Sequence, residues 1–302
     1  MTFWPLLCYI YIRMKFKNQK GQAVLIVLLS LSVVLIVVMF VVSRSITDIS
    51  LSTKEENSLR AFSAAEAGIE RALVIGSAQN GAFDDATFNT SVIDFAVGSS
   101  TVVYPISLKS GEFATFWFIG HNNNGTLGCT DETCFSGRSV KLCWGDSGTV
   151  TGPVPAVEFT VYYTTAANDL TKIRVARATL DPVSRANNFN SASTGVCTIN
   201  EESFKYYTTI ELSPAGGLGI AGWATPGILR YATVKILYND TVAHKIGIDV
   251  SSTGSILPSQ GVKIESDGKF GDANRSIEVY QLHPIAPTIF ENAIFSSSGI
   301  TK

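Results

Sequence analysis

Four cysteines, Cys129, Cys134, Cys143 and Cys197, are the residues of this 302-residue chain best suited to covalent or metal chemistry. Their even number allows two disulfides in any of three connectivities. Pairing sequence neighbours, Cys129–Cys134 and Cys143–Cys197, is the simplest choice. The first would close the short polar loop Gly-Cys-Thr-Asp-Glu-Thr-Cys. A four-cysteine zinc site is the rival, disfavoured because no Cys-x-x-Cys pair occurs. His121, His244 and His283 stand singly, and no His-Glu-x-x-His, Gly-x-Ser-x-Gly or phosphate-loop pattern is present. Asp84-Asp85 and Asp131-Glu132 read as acidic loop pairs. Asp267, Asp272 and Asn274 are the nearest approach to a calcium cluster, without the spacing of an EF-hand. The expectation is therefore no catalytic residue, no cofactor and no metal. A glycosidase would need two convergent carboxylates, and no motif supplies them. Phe116-Trp117-Phe118 and Tyr162-Tyr163 could line a sugar- or protein-binding surface. On alternating strands, however, one aromatic of each pair is expected inside.

Charge narrows the classes further. The chain carries a formal net charge of −2 and is 46% hydrophobic. After Gly76 it has 15 Lys/Arg against 20 Asp/Glu, an acidic excess of 5 with no basic cluster. Nucleic-acid binding needs clustered cations, so no direct contact with DNA or RNA is expected.

The elements that must carry these residues begin with an apolar run from Gln22 to Val42, free of charge, proline and glycine. About 20 such residues span the bilayer hydrocarbon as a helix. Ser30 and Ser32 can bond back to the helix backbone. Arg13, Lys15, Lys17 and Lys20 precede the run without an acid among them. That bias places the N-terminus on the cytoplasmic side and the rest outside. An extracytoplasmic head favours disulfides over free thiols. Proline is missing from Ser43 to Ile75, and Leu59, Phe62, Ile69 and Leu73 fall at helix-face spacing beside Ala65 and Ala72. These four are expected to pack the helix on the head. Glu56 and Arg60 form an i,i+4 pair, and Gly76 supplies a stop. A helix over Gln22–Ile75 would be about 80 Å long.

Beyond Gly76 the period changes to two. Val157–Tyr163 and Lys172–Leu180 alternate, and 102–108, 113–119, 140–144, 206–212, 229–238 and 245–250 are further strand candidates. Val262–Tyr280 reads as two strands around a glycine-bearing turn. The fold class is α+β: a long N-terminal helix, then a mainly antiparallel β head, sandwich or roll. The organisation expected is a leader at 1–21, a helix at 22–76 with its membrane span at 22–42, and a β-rich head at 77–302. An inserted β module is expected at 101–214.

Two blocks carry a resemblance. A basic leader ends in Gly21 directly before the apolar run, whereas a secretory signal places its cleavage site after the apolar core. This arrangement resembles the class III leader of type IV pilins. Arg60-Ala-Phe-Ser-Ala-Ala-Glu-Ala-Gly-Ile-Glu-Arg-Ala-Leu73 resembles the corresponding segment of PilX-type minor pilins, which are related to K-type pseudopilins of type II secretion. The match covers roughly the first quarter of the chain. It implies cleavage between Gly21 and Gln22 by prepilin peptidase. It also implies packing of the helix, through residues such as Ile26, Leu29, Val34 and Phe40, against membrane lipid and then other pilin subunits. Residues 1–12, with Cys8 among them, would be absent from the mature protein, and Met14 is a plausible true start. Shaft pilins usually carry glutamate at the fifth mature residue. Here that position is Ile26, which implies a minor subunit at or near a filament tip, with a head for surface contact. A single-pass anchored binding protein that never polymerises is the alternative.

Overall fold

The computed structural model describes residues 22–146, 154–167 and 169–285. One helix, α1 (Gln22–Ile75), leads into β1 (Asn80–Phe83), β2 (Ala86–Asp94), β3 (Thr101–Val103) and β4 (Phe113–Trp117). Two short strands follow, β5 (Gly120–His121) and β6 (Leu127–Gly128). Next come β7 (Ser139–Asp146), β8 (Ala156–Thr164), β9 (Ile173–Asp181), β10 (Asn190–Ser191), β11 (Ser193–Ile199) and β12 (Glu202–Glu211). The chain then forms β13 (Leu229–Leu237), β14 (Ile246–Asp249), β15 (Gly261–Phe270) and β16 (Ala273–Leu282). A long helix followed by a mainly antiparallel β head is thus the architecture, and the head is a sandwich on a base.

The base is a four-stranded antiparallel sheet in the order β1-β2-β15-β16. β15 and β16 form the hairpin expected near the end, in unbroken register from Gly261↔Leu282 to Phe270↔Ala273. The β1–β2 hairpin was not foreseen. Its turn, Asp84-Asp85, is acidic rather than glycine-bearing, and both residues adopt positive φ, which Asp tolerates better than most side chains.

Everything between β2 and β15 is an excursion from this sheet. It forms two five-stranded sheets, β10-β9-β8-β13-β4 and β11-β12-β7-β14-β3. Their inner faces share one core. Phe116, Val157, Phe159, Val161, Val234 and Ile236 come from the first sheet. Val140, Leu142, Trp144, Ile246 and Ile248 come from the second. The period-2 alternation that marked these strands separates them from outward residues such as Glu158, Lys235 and Lys141. The module expected at 101–214 is therefore longer. β13 pairs with β4 and β8, and β14 pairs with β3 and β7, so both sheets need strands beyond 214. An end near Pro214 was expected, whereas strand pairing across it is non-local.

The ends of the excursion are tied together. Phe95 N–H donates to Gly261 O at 2.8 Å, and Gln260 N–H donates to Phe95 O at 2.8 Å. Gly98 and Leu257 continue this pairing one step further. The neck is a short two-chain ribbon, which is how a large insertion is accommodated without opening the base sheet.

Both disulfides form, in the local pairing. Cys129–Cys134 has a Cα–Cα distance of 5.3 Å and Cys143–Cys197 one of 6.2 Å. Cys143 faces away from the main core. β11 breaks register with β12 between Thr194 and Cys197 and comes against β14 and β3. Cys197 thereby reaches Cys143 over a small satellite core of Ile199 and Phe204. A bridge across a sequence separation of 54 removes loop-closure entropy worth about 4 kcal/mol. Cys143→Ala/Cys197→Ala should lower unfolding stability by about that amount in denaturant titration. Cys129→Ala/Cys134→Ala, which opens a separation of only 5, should cost less.

Candidate functional site

Among the described residues one helix, α1, is long and apolar enough to cross a membrane, with a mean hydropathy of 3.4 in its most apolar window. None of that window is buried. Ile26, Leu29, Val34 and Phe40 are all about two-thirds exposed. Apolar surface of this extent is stable in lipid or against other protein and costly in water. The two serines are neutralised locally, as expected. Ser30 Oγ donates to Val27 O at 2.9 Å and Ser32 Oγ to Leu29 O at 2.8 Å. Past Val42 the surface becomes polar, with the Glu56–Arg60 pair at 2.8 Å. Gly21 and the leader lie outside the described residues, and Gln22 is the first residue of α1.

The final turns of α1 seat the base sheet, through a different face from the one expected. Of Leu59, Phe62, Ile69 and Leu73, only Ile69 is buried. Leu59 is 67% exposed, Phe62 43% and Leu73 40%. The buried helix positions are Ala61, Ala64, Ala65, Gly68, Ile69 and Ala72. The reason is distance. Gly268 of β15 lies against the helix backbone so closely that a Cβ there would collide with Ala61 O and stand 2.6 Å from Ala65 N. On the helix side, a Cβ on Gly68 would meet Ser266 Oγ and stand 2.9 Å from both Phe88 and Thr90. Only small residues permit this approach, so the large apolar residues are turned outward. Ala65 and Ala72, noted as neighbours of the expected stripe, belong to the true one. A run of small residues at i, i+3, i+4 spacing was the signal that could have found it.

The histidines scattered in sequence are partly brought together. His121 and His283 stack at 3.6 Å with an interplanar angle of 11°. The edge of Trp117 meets both, at 4.5 and 6.4 Å. Trp117 and Tyr162 point outward from their sheet, whereas Phe116, Phe118 and Tyr163 face the core. Outward Tyr162 stacks on Tyr231 at 4.4 Å, and Tyr231 in turn contacts Trp117 at 5.1 Å. Tyr231 and Gln260 escaped the sequence reading because only strand pairing places them here. Gln260 is 3% exposed. Its side-chain amide accepts from Trp117 N–H at 2.7 Å and donates to Trp117 O at 3.0 Å, so it acts as an extra rung beside β4. Its carbonyl accepts from His283 N–H at 3.1 Å. One residue thus joins the neck, the sandwich and the end of β16.

His244 is separate, with Nε2 2.8 Å from Asn239 Nδ2. Asp267 lies on β15, Asp272 in the following turn and Asn274 on β16. Among the described residues no three His, Cys, Asp or Glu side chains gather as a cation site.

Two predictions follow from this geometry. Gly268→Val should destabilise the head by about 3 kcal/mol through overpacking, read as a lowered melting temperature in near-ultraviolet circular dichroism. Leu59→Ala should change stability by no more than about 0.5 kcal/mol. The second concerns pH. Burial, and then the neighbouring His283, lower the His121 pKa to about 4, and burial lowers that of His283. An unfolded imidazole binds its proton below about 6.5. Between there and about 4 the unfolded chain holds more protons than the folded one, so stability falls as pH falls. His121→Gln/His283→Gln should flatten the slope of melting temperature against pH in that window. No protein-family model matches the chain, and no curated protein matches it.

Proposed function

We propose that this chain is a minor filament subunit of the type IV pilin class, cleaved after Gly21, inserted through α1 and then drawn into a pilus or pseudopilus. The observation that carries the reading is the division of labour along one uninterrupted helix. Its first stretch, from Gln22 to Val42, carries no charge and is exposed throughout, and its last turns seat an antiparallel sheet through small residues. In the membrane the first half is satisfied by lipid. In a filament it exchanges lipid contacts for packing against neighbouring helices. The outward Leu59, Phe62 and Leu73 extend that apolar face up the head. The basic leader before Gly21 supports the same reading, because it keeps the N-terminus inside and presents the cut at the membrane surface.

The subunit is placed at or near the filament tip. Ile26 offers no carboxylate to pair with a neighbour's amino terminus, and the sandwich inserted between β2 and β15 is bulky beside a four-stranded base. A terminal subunit needs no room for neighbours above it. The mechanism is assembly and presentation of the head, without catalysis.

N-terminal sequencing of the protein extracted from membranes tests the reading. It should begin at Gln22, and Gly21→Glu should leave the leader attached. A mature protein still beginning at Met1 or Met14 points instead to an anchored binding protein that does not polymerise. Immunogold labelling tests the placement: sparse terminal label is expected, and dense regular decoration along the filament would overturn it.

A further inference from the structure

We propose that Cys129–Cys134 is a site of thiol–disulfide exchange, opened by a dithiol reductant, and that its closed state latches the neck through Glu132. The inference goes beyond the filament reading and does not rest on it. The two bridges differ in access. Cys143 is 0% exposed and Cys197 2%, so no attacking thiolate reaches either sulfur in the folded chain. Cys134 is 4% exposed. Cys129, by contrast, lies on the surface, with Thr130 and Asp131 exposed beside it. Exchange requires access to only one sulfur of the pair. Exposed disulfides are the labile and regulatory ones, and reactivity follows exposure.

What the ring holds gives the reaction a consequence. The bond joins residues only 5 apart, and the two carboxylates inside the ring reach in different directions. Asp131 binds the β5–β6 turn. Its Oδ2 accepts from Asn123 N–H at 2.9 Å, and its own N–H donates to Asn122 Oδ1 at 3.3 Å. Glu132 reaches the neck, where its Oε2 accepts from Ser259 N–H at 3.0 Å across 127 positions of chain. Ser259 is 2% exposed. Its hydroxyl donates to Gly261 O at 2.8 Å and accepts from Gly261 N–H at 3.2 Å. Gly261 O is also the acceptor for Phe95 N–H, so Glu132 meets the neck at the residue that braces one of its rungs. A buried N–H whose acceptor is withdrawn is disfavoured, which couples the ring to the neck. Glu132 also packs tightly on β5, since a Cβ on Gly120 would stand 2.8 Å from Glu132 Cβ. Once the ring opens, residues 130–133 regain backbone freedom, and Glu132 is no longer held on Ser259.

The exchange proceeds in two displacements. One thiolate of the dithiol attacks Cys129 Sγ, the Cys129–Cys134 bond breaks, and Cys134 leaves as a thiolate that takes up a proton. The second thiolate of the reductant then attacks its own sulfur in the mixed disulfide and releases Cys129 in the same way. Two electrons pass to the protein, the two thiol protons of the reductant end on the two cysteines, and the reductant ends as a disulfide.

The test uses the full chain in detergent, with dithiothreitol as the reductant. Differential alkylation with peptide mapping follows each bridge, and amide hydrogen exchange resolved to single residues follows Ser259. Cys129 and Cys134 should become alkylated at dithiothreitol concentrations that leave Cys143–Cys197 closed. Exchange at Ser259 should then quicken at least tenfold, with amides of the sandwich core such as Phe159 unchanged. Glu132→Ala should bring the same acceleration with the bridge closed, and reduction should add little to it. Glu132→Gln keeps an acceptor oxygen and should retain the protection. Cys129→Ser/Cys134→Ser should behave as the reduced parent. Opening of both bridges together, or of Cys143–Cys197 first, would overturn the exchange site. Ser259 exchange left unchanged by reduction, or by Glu132→Ala, would overturn the latch.

Discussion

The close approach of β15 to α1 is the constraint on which the rest of the molecule depends. At Gly268 the strand meets the helix backbone at Ala61 and Ala65 with no room for a side chain between them. Such proximity fixes both the depth and the register of the sheet, since a shift by one residue would bring Asp267 or Lys269 against the helix. It also dictates which helix face is covered. Alanine and glycine go inward, and leucine and phenylalanine are left for other surfaces. The helix can then carry a folded head on one side and still leave Leu59, Phe62 and Leu73 exposed on the other.

From that fixed base the second level of organisation follows. β2 and β15 are neighbours in the sheet, so the chain leaving one and entering the other does so at almost the same place. The Phe95–Gly261 and Gln260–Phe95 hydrogen bonds convert this proximity into a neck. A sandwich with its own core can then grow on the base without disturbing it, and its contacts with the base concentrate at Gln260, Trp117 and His283. Here polar groups are drawn into a protein interior by topology rather than by amphipathic pattern. The orphaned Thr115 Oγ1 and the stacked imidazoles arise at this seam and not within either core.

The disulfides serve the periphery of the sandwich. Neither joins its two sheets, which pack on each other through Phe116, Phe159, Trp144 and Leu142. Cys143–Cys197 instead holds β11 folded over an outer face. Gly247 leaves the space for it, since a Cβ there would meet Ile199 at 3.0 Å and Phe204 at 3.1 Å. Cys129–Cys134 stiffens the loop beside Trp117, where Gly120 N–H lies 3.4 Å from Cys134 Sγ.

The sequence by itself determined whatever depends on local pattern. The apolar run, the unbroken helix to Ile75, the alternation in β8 and β9, the β15–β16 hairpin and the pairing of sequence-neighbour cysteines were all legible. Each is written in residues a few positions apart or in composition. Tertiary structure decided what depends on distance between elements. Leu59, Phe62 and Leu73 had the spacing of a packing stripe, but close contact with Gly268 admitted only the small residues beside them. The inserted module was expected to end near Pro214, but β13 and β14 complete sheets begun much earlier. His121 and His283 looked solitary because 162 positions of chain separate them, and the neck returns that chain to where it left. Periodicity reports which face of an element is buried. It does not report how near the opposing backbone comes, nor which distant strand lies beside it, and the seam was assembled by those two quantities.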